Sequence, residues 1–352
     1  MTLEDLGYDP SLDKYRKEKQ LDLFVVGRVI SEHKERYLVK TADKEYDSEI
    51  IGNLRFTANS RANFPAVGDW VAISEYNQNN ALIHAVYPRK TAIERQAVGI
   101  HGEKQIIAAN IDNAFILQAV DRDFNINRIE RYLTICHTSN VSPVIILNKI
   151  DLVGETKLNE LVSKVKVRIK EVPVFTISNE NLRGIDEVKE FIKKGQTYCL
   201  LGSSGVGKST LLNTLSGTRF MRTDTISSST NKGRHVTSHR ELIILEHGGI
   251  LIDNPGMREV GVTEATRGLE KTFHRITELS KDCRFKNCTH TTEVGCAIIT
   301  AVDNGEIDKA SYLNYLRMER EKKHFESTVA QKRKKDKDFG KMIKNYKKNY
   351  FK

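Results

Sequence analysis

A glycine-rich segment in the second half of the chain has the spacing of a phosphate-binding loop. It reads Gly202-Ser203-Ser204-Gly205-Val206-Gly207-Lys208-Ser209 and is followed by Thr210. Glycines let the backbone curl so that successive N–H groups point at a phosphate, and a helix starting at the lysine adds its positive dipole. Lys208 would bridge the β- and γ-phosphates, and the Ser209 hydroxyl would coordinate Mg²⁺. The segment therefore predicts a nucleoside triphosphate site between a strand and a helix.

A second segment suits recognition of guanine and consists of Asn148, Lys149, Ile150 and Asp151. The aspartate can accept hydrogen bonds from N1–H and from the exocyclic amine of guanine, and adenine offers neither donor. The asparagine would tie the loop together and reach the base, and the lysine stem would lie over the base. Ser178 and Asn179, after the next apolar run, would supply a backbone N–H to guanine O6. Alone, such a segment also makes an ordinary turn, so this prediction depends on the phosphate loop.

A third element follows the apolar run 250–252 and reads Asp253-Asn254-Pro255-Gly256. Its aspartate would hold Mg²⁺ through a water, and the N–H of its glycine would contact the γ-phosphate. The next residue is Met257, where many GTPases have a glutamine that orients the attacking water. Some other group, or a partner, must therefore position that water.

The polar stretch 217–240 has the composition of a mobile switch loop. Such loops become ordered through contacts with Mg²⁺ and the γ-phosphate and relax after hydrolysis. Thr237 is predicted to reach Mg²⁺, with Ser238 and Thr230 as alternatives. His235 is the candidate to orient the attacking water, because a neutral imidazole can accept a proton near pH 7. The alternative is that His235 contacts RNA or packs locally.

Three cysteines and one histidine lie within fourteen residues, at Cys283, Cys288, His290 and Cys296. Zn²⁺ favours such a tetrahedral set of three sulfurs and one nitrogen, and a site with four protein ligands is closed and structural. The alternative is a group of unrelated surface thiols beside a chance histidine. The other cysteines, Cys136 and Cys199, fall in apolar elements and are expected to be buried small side chains.

The elements that must position these residues divide the chain into five parts. Residues 21–92 contain about five short β runs, which fits a small OB-type barrel, with an SH3-like barrel as the alternative. Residues 100–271 alternate apolar strands with helices, which indicates a mostly parallel α/β sheet covered on both faces. Residues 241–253 within them read as a hairpin. The remaining parts are an N-terminal extension (1–20), a zinc-binding α-helical domain (272–316) and a basic tail (317–352).

Charge is concentrated at the C-terminal end. The chain has 56 Lys and Arg against 46 Asp and Glu, and residues 317–352 hold 14 basic and 5 acidic side chains, so they carry +9 of the net +10. Aromatic residues interleave these cations, as expected for RNA binding, although a solvated disordered extension is the alternative. The charged first twenty residues and the absence of an 18-residue apolar run predict a soluble intracellular protein without signal or membrane span.

The order of the motifs is unusual, since the base segment precedes the phosphate loop, which precedes the Asp253–Gly256 element. Ordinary GTPases have the phosphate loop first, and circular permutation of a compact domain assembles the same site from this order. With Gly233-Arg234-His235 and the cysteine spacing, the sequence resembles the circularly permuted GTPases of the ribosome small-subunit-dependent family. It departs from that family at Asn254, where Thr is usual, and at Val236, where Thr is more frequent.

The resemblance implies an N-terminal OB-fold, a permuted P-loop GTPase domain and a C-terminal zinc-binding domain. It implies GTP hydrolysis stimulated by the 30S subunit. The motifs themselves make Lys208, Gly256 and His235 the candidate catalytic residues. It also implies a cytoplasmic monomer that binds the small ribosomal subunit and its rRNA during late maturation, and is released on hydrolysis. One structural Zn²⁺ per chain and Mg²⁺ with GTP are the expected cofactors. The alternatives are a GTP-regulated RNA-binding protein with little turnover, a GTPase of another RNA–protein particle, or a signalling GTPase.

Overall fold

The computed structural model describes residues 1–33, 35–58, 60–96, 104–121, 123–217, 240–253 and 266–326 of the 352-residue chain. The first twenty residues pack against side chains of the β-strands that follow them. Helix α1 (Leu12–Glu18) lies in a segment whose apolar side chains form a cluster with Trp70 and Tyr87. Within it the ring of Tyr8 meets that of Trp70 edge-on, with 5.0 Å between centroids. This burial explains why a highly charged segment is ordered.

A closed five-stranded barrel follows, which confirms the predicted small β-barrel. Its strands are β1 (Val25–His33), β2 (Arg36–Lys40), β3 (Glu45–Ile50), β4 (Trp70–Glu75) and β5 (Asn80–Val86). Helix α2 (Gly52–Thr57) and a 3-10 turn (Arg61–Asn63) connect β3 to β4. The order β1-β2-β3-β5-β4 closes because the start of β1 also pairs with β4. Side chains that alternate along the strands fill the interior, including Val39, Val71 and Ile83.

A two-stranded antiparallel ribbon, β6 (Ala92–Gln96) and β7 (Lys104–Ala109), leads from the barrel into the α/β sheet. The next strands are β8 (Asn113–Ala119), β9 (Ser142–Asn148), β10 (Val174–Ile177), β11 (Thr197–Leu201), β12 (Arg240–Ile244) and β13 (Ile250–Asp253). They lie in the order β10-β9-β8-β11-β13-β12, all parallel except β12, which forms the predicted hairpin with β13. The mostly parallel sheet is therefore confirmed.

In the described part of this region, four helices cover the sheet: α3 (Ile126–Thr138), α4 (Glu155–Arg168), α5 (Ile185–Phe191) and α6 (Lys208–Ser216). Successive residues of β8 belong to different cores, since Ile116 lies in one cluster and Phe115 and Leu117 in the other. Because side chains alternate across a strand, the sheet has a buried core on each face.

The barrel and the α/β sheet are one continuous sheet. The end of β1 pairs with β12 in antiparallel register, with Ser31 opposite Glu241. Near this junction the buried guanidinium of Arg28 donates to four oxygens from separate segments: Leu6 O (2.5 Å), Gly68 O (3.2 Å), Asn110 O (3.1 Å) and Thr197 Oγ1 (2.9 Å). The barrel is thus fixed to the strand that leads into the phosphate loop.

The C-terminal described region is helical, with α7 (Thr266–Thr272), α8 (His274–Ser280), α9 (Ala297–Asp303) and α10 (Lys309–Glu326). It has a small core of its own around Phe273, Ile298 and Met318. Helix α7 crosses α3 closely at Gly268, where a Cβ would lie 2.1 Å from Thr138 Oγ1. Among the described residues, no helix has the length and apolar composition needed to span a membrane.

Candidate nucleotide and metal sites

The base segment and the phosphate loop contact each other directly. Asn148, the last residue of β9, donates from Nδ2 to Val206 O at 2.8 Å, and Asn179 Nδ2 donates to Gly207 O at 3.2 Å. Gly207 has φ +98°, and a Cβ there would lie 2.3 Å from Asn148 Nδ2. Only glycine fits this approach, so the two motifs are packed against each other without intervening side chains.

The phosphate loop has the predicted strand before it and the predicted helix after it. It follows β11, and α6 begins at Lys208, with Ser209 and Thr210 in its first turn. Gly202 has φ +153°, where a Cβ would lie 2.6 Å from Leu117 O. The ammonium of Lys208 donates to Gly202 O at 2.8 Å and to Ser203 O at 2.7 Å, so it lies over the start of the loop. Ser204 and Gly205 form the turn of the loop, and Val206 is buried.

The predicted guanine-reading residues lie together on two neighbouring loops. The buried hydroxyl of Ser178 donates to Asp151 Oδ1 and accepts from the backbone N–H groups of Glu180 and Asn181. Asp151 itself is exposed, and no other donor to it lies among the described residues. Its second oxygen is thus available to a ligand. Ile150 is buried beneath the loop.

Two further features of this site, a buried acceptor on Asn179 and the backbone conformation of Lys149, fit a base-binding pocket. Asn179 Oδ1 is buried without a hydrogen-bond partner in the described part of the chain, so it is an acceptor that a bound group could satisfy. Lys149 adopts a left-handed conformation with φ +66°, and its ammonium pairs with Asp121 at 3.1 Å. The lysine is therefore held in one orientation at the end of β8.

The predicted magnesium residues are partly described. Asp253 ends β13, where Ile252 pairs with Cys199 of β11, so the carboxylate is at the sheet edge that carries the phosphate loop. It is buried, and a carboxylate is the hard oxygen ligand that Mg²⁺ prefers. Thr237, Gly256 and His235 lie outside the described residues, and their assignments stay predictions.

The four predicted zinc ligands lie together, with their ligand atoms all within 4.8 Å of one another. Cys283 Sγ is 3.8 Å from Cys296 Sγ, and both sulfurs are 3.6 Å from Nδ1 of His290. Tetrahedral zinc with bonds of about 2.3 Å to sulfur and about 2.0 Å to nitrogen requires separations of about 3.8 Å and about 3.6 Å. The cluster therefore fits Zn²⁺, with Cys288 as the fourth ligand.

Burial and the neighbouring sulfurs of Cys296 and Cys283 raise the pKa of Cys288 to about 11. A bound dication favours the thiolate instead, so binding would release protons. By contrast, Cys136 and Cys199 are fully buried, as predicted, and burial raises the pKa of both thiols. These two residues are core side chains.

Comparison with known sequences decides the family. The sequence model of the RsgA GTPase family matches residues 86–263. The small ribosomal subunit biogenesis GTPase RsgA 2 of Lactiplantibacillus plantarum is 43% identical over 299 residues, covering 84% of this chain and 83% of that protein. The small ribosomal subunit biogenesis GTPase RsgA of Opitutus terrae is 39% identical over 333 residues, covering 91% and 90%.

The chain belongs to the RsgA GTPase family. This confirms the resemblance drawn from motif order and cysteine spacing. A sequence model described as ABC transporter also matches residues 185–342, a range that includes the phosphate loop but not the base segment. The phosphate loop is common to many nucleotide-binding proteins, whereas the base segment lies only in the range matched by the RsgA model.

Solved structures agree with the RsgA fold. YjeQ from Thermotoga maritima is 26% identical, with a TM-score of 0.62 over 84% of this chain and 97% of that chain. YloQ, described as a circularly permuted GTPase, has a TM-score of 0.60 over 88% and 98%, at 22% identity, and supports the fold. The permuted α/β architecture with its N-terminal barrel is thereby confirmed, and the cluster of Cys283, Cys288, His290 and Cys296 in the helical region is consistent with zinc binding.

Sequence reasoning missed a buried carboxylate that joins three helices of this RsgA-family chain. Glu130 of α3 accepts from Arg168 Nε of α4 at 2.6 Å, and from Ser311 Oγ and Asn314 Nδ2 of α10 at 2.9 and 2.6 Å. Its side chain is almost fully buried. A charged residue in an amphipathic helix gives no sign in the sequence that it faces a neighbouring domain.

A second contact that the sequence did not indicate joins helix α3 to the phosphate loop. Arg128, in the first turn of α3, donates from Nη1 to Ser203 Oγ at 2.9 Å and pairs with Asp123 at 2.6 Å. The contact joins residues 75 positions apart, and no motif spacing could have indicated it. It braces the loop from the side of α3.

Proposed function

We propose that this chain hydrolyses GTP to GDP and phosphate and assists late maturation of the small ribosomal subunit, with release coupled to hydrolysis. Relatives at 39–43% identity are named small ribosomal subunit biogenesis GTPases. The observation that carries the proposal is the direct contact between Asn148 and the phosphate loop, because it links base recognition to the triphosphate site.

The described residues support distinct roles in binding GTP. Asp151, with one oxygen held by Ser178, would accept from N1–H and the exocyclic amine of guanine and exclude adenine. The loop from Gly202 to Thr210 would surround the phosphates with N–H groups at the start of α6, and Lys208 would neutralise them. Asn148 and Asn179 would hold the two loops in register.

Hydrolysis also needs magnesium and a positioned water. Ser209, Thr237 and Asp253 would hold Mg²⁺, which neutralises the charge on the phosphates. The Gly256 N–H would contact the γ-phosphate. Because Met257 cannot orient water, His235 is proposed for that task, with closure of its loop stimulated by the 30S subunit. Turnover without the subunit should then be slow.

We propose small-subunit rRNA as the direct partner of a cytoplasmic monomer. The barrel at 21–92, the zinc-binding domain at 272–316 and the tail at 317–352 would flank the GTPase domain at 100–271, with residues 1–20 leading into the barrel. The net charge of +9 on residues 317–352 supports contacts with RNA phosphates.

The deciding experiment measures GTP hydrolysis with and without purified 30S subunits, with ATP as the competing nucleotide. We expect slow intrinsic turnover, strong stimulation by 30S and no competition by ATP, and Lys208→Ala should abolish turnover under both conditions. Absence of stimulation, with intact GTP binding, would favour a GTP-regulated RNA-binding protein instead. Stimulation by 50S subunits alone would assign the chain to another particle.

A further inference from the structure

The histidine of the metal cluster sits in an unfavourable backbone conformation. His290 has φ +60°, in the left-handed region that non-glycine residues seldom occupy. Such a residue persists only where its surroundings fix the backbone on both sides. The groups that fix it therefore control whether its imidazole reaches the three sulfurs.

One carboxylate organises the loop on both sides of His290. Glu293 Oε1 accepts from the backbone N–H and the hydroxyl of Thr289, at 2.7 and 2.5 Å. Its Oε2 accepts from the backbone N–H groups of Thr291 and Thr292, at 2.9 and 3.1 Å. Four donors from three residues thus converge on a side chain three positions before Cys296. The loop that carries Cys288 and His290 is wrapped around this carboxylate.

The effect of Glu293 on the metal cannot be a favourable charge contact. Three thiolates already exceed the charge of a divalent ion, so a further carboxylate adds repulsion at the site. Both of its oxygens are occupied by loop donors, so it is not a ligand of the cluster. Glu293 can therefore act only by positioning the loop, because hydrogen bonds outside the ligand set orient metal ligands and tune affinity.

We propose that Glu293 is the positioning residue of the zinc site. Its carboxylate holds the loop from Thr289 to Thr292 in the conformation that brings His290 to the sulfurs before the metal arrives. Removing it leaves all four ligands in place but raises the cost of ordering them. A second anchor comes from α10, where the Tyr312 hydroxyl donates to His290 O at 2.6 Å.

The test measures metal affinity in the full-length protein. Zn²⁺ is titrated in competition with a chromophoric chelator for the unmodified protein and for Glu293→Gln, Glu293→Asp and Asp282→Asn. Asp282 is an exposed carboxylate next to Cys283, with no side-chain partner among the described residues, so its variant removes the same charge without touching the loop. Co²⁺ absorption reports the ligand set, and GTP binding reports that the GTPase domain is folded.

We expect Glu293→Gln to weaken Zn²⁺ binding 10–100-fold, as removal of such supporting contacts does. Glu293→Asp should weaken it similarly, because the shorter chain keeps the charge but cannot reach both pairs of donors. Asp282→Asn should change affinity less than twofold. At saturating Co²⁺, both Glu293 variants should keep the sulfur-to-cobalt bands of the unmodified protein, because the ligands are unchanged.

Three results would overturn the inference. Equal affinity in Glu293→Gln and Asp282→Asn would show that the loop does not need its carboxylate. Full affinity in Glu293→Asp would assign any effect to charge. Altered sulfur-to-cobalt bands at saturation would make Glu293 part of the ligand set. By contrast, an unmodified protein that binds no Zn²⁺ would remove the metal site itself, which is a separate outcome.

Discussion

The nucleotide site and the zinc cluster are built in opposite ways. The nucleotide site gathers residues from Asp121 to Asp253, and its parts meet only because five parallel strands end at one edge of a large sheet. The zinc cluster gathers its ligands from Cys283 to Cys296, beside a small core. The first site thus depends on long-range folding and tolerates a permuted chain order. The second depends on local spacing and on a metal.

Removal of a zinc ligand should produce the largest difference between the two regions. Cys288→Ala should abolish stoichiometric Zn²⁺ binding and loosen residues 272–316, since structural zinc supplies roughly 10 kcal/mol of binding energy. GTP affinity should be unchanged, because the nucleotide site rests on the sheet. Hydrogen exchange and metal analysis check this, with Cys136→Ala as a control that leaves the metal in place. Loss of GTP binding in Cys288→Ala would show that the two regions fold as one unit.

A change in the base segment tests the other region. Asp151→Asn should weaken GTP and GDP binding by about 4 kcal/mol, roughly a thousandfold, and shift preference towards xanthine nucleotides. Zinc content should be unaffected. Competition binding with GTP, XTP and ATP measures this, and Asp186→Asn on the exposed face of α5 is the matched control. Equal competition by ATP and GTP in the unmodified protein would refute the assignment of the base site.

Glu130 joins the α/β domain to helix α10 of the region that carries the zinc cluster. Glu130→Gln should lower the free energy of unfolding by about 3 kcal/mol, because among the described carboxylates the buried guanidinium of Arg168 keeps only its longer contact with Asp308, at 3.5 Å. Urea unfolding checks this, with Glu160→Gln as the control. Glu160 forms ion pairs with Lys157 and Lys164 but is exposed, so its loss should destabilise the protein far less. Equal losses in the two variants would show that the buried network does not stabilise the junction.

The smallest effect is a pH dependence at the same junction. Burial, with a smaller contribution from the charge of Lys271, lowers the pKa of His137 to about 4, and its Nδ1 lies 2.9 Å from Thr272 Oγ1. The unfolded chain, with an ordinary pKa near 6.5, therefore binds the proton first. This stabilisation is complete above pH 6.5 and is lost as the pH falls towards 4. His137→Gln should lose about 1 kcal/mol of that pH dependence, given partial exposure.

The measurement for His137 compares unfolding free energies at pH 7 and pH 5 in the unmodified protein and in the variant. Taking the difference removes contributions from the zinc ligands, which titrate in both proteins. An identical pH dependence in the two would mean that His137 is solvated at the junction.

Local signals made much of this molecule predictable. The glycines of the phosphate loop impose their conformation within a few residues, and the strand Thr197–Leu201 and the helix after it lie where the apolar pattern placed them. The spacing of the cysteines and the histidine likewise predicted the metal cluster, because its four ligands lie close together in the sequence. Structural features that depend on residues close together in the chain could therefore be predicted from the sequence.

Contacts between distant segments could not be anticipated in this way. The pairing of β1 with β12 joins residues about 210 positions apart, and backbone hydrogen bonds leave no side-chain signature. Glu130 is charged, yet it is buried because partners from two other helices satisfy it. The alternating pattern that predicts strands says nothing of which strands become neighbours.

The junction between β1 and β12 has a practical consequence for dissecting the protein. Strand β12 is paired with β13 on one side and with the end of β1 on the other. A fragment that begins near residue 100 would remove the partners of Arg240 and Glu241, and would leave backbone donors and acceptors at the start of β12 open to another chain. Bare strand edges promote self-association, so the isolated GTPase domain should oligomerise or aggregate unless this edge is covered. The barrel thus also covers the start of the edge strand in its neighbour's sheet.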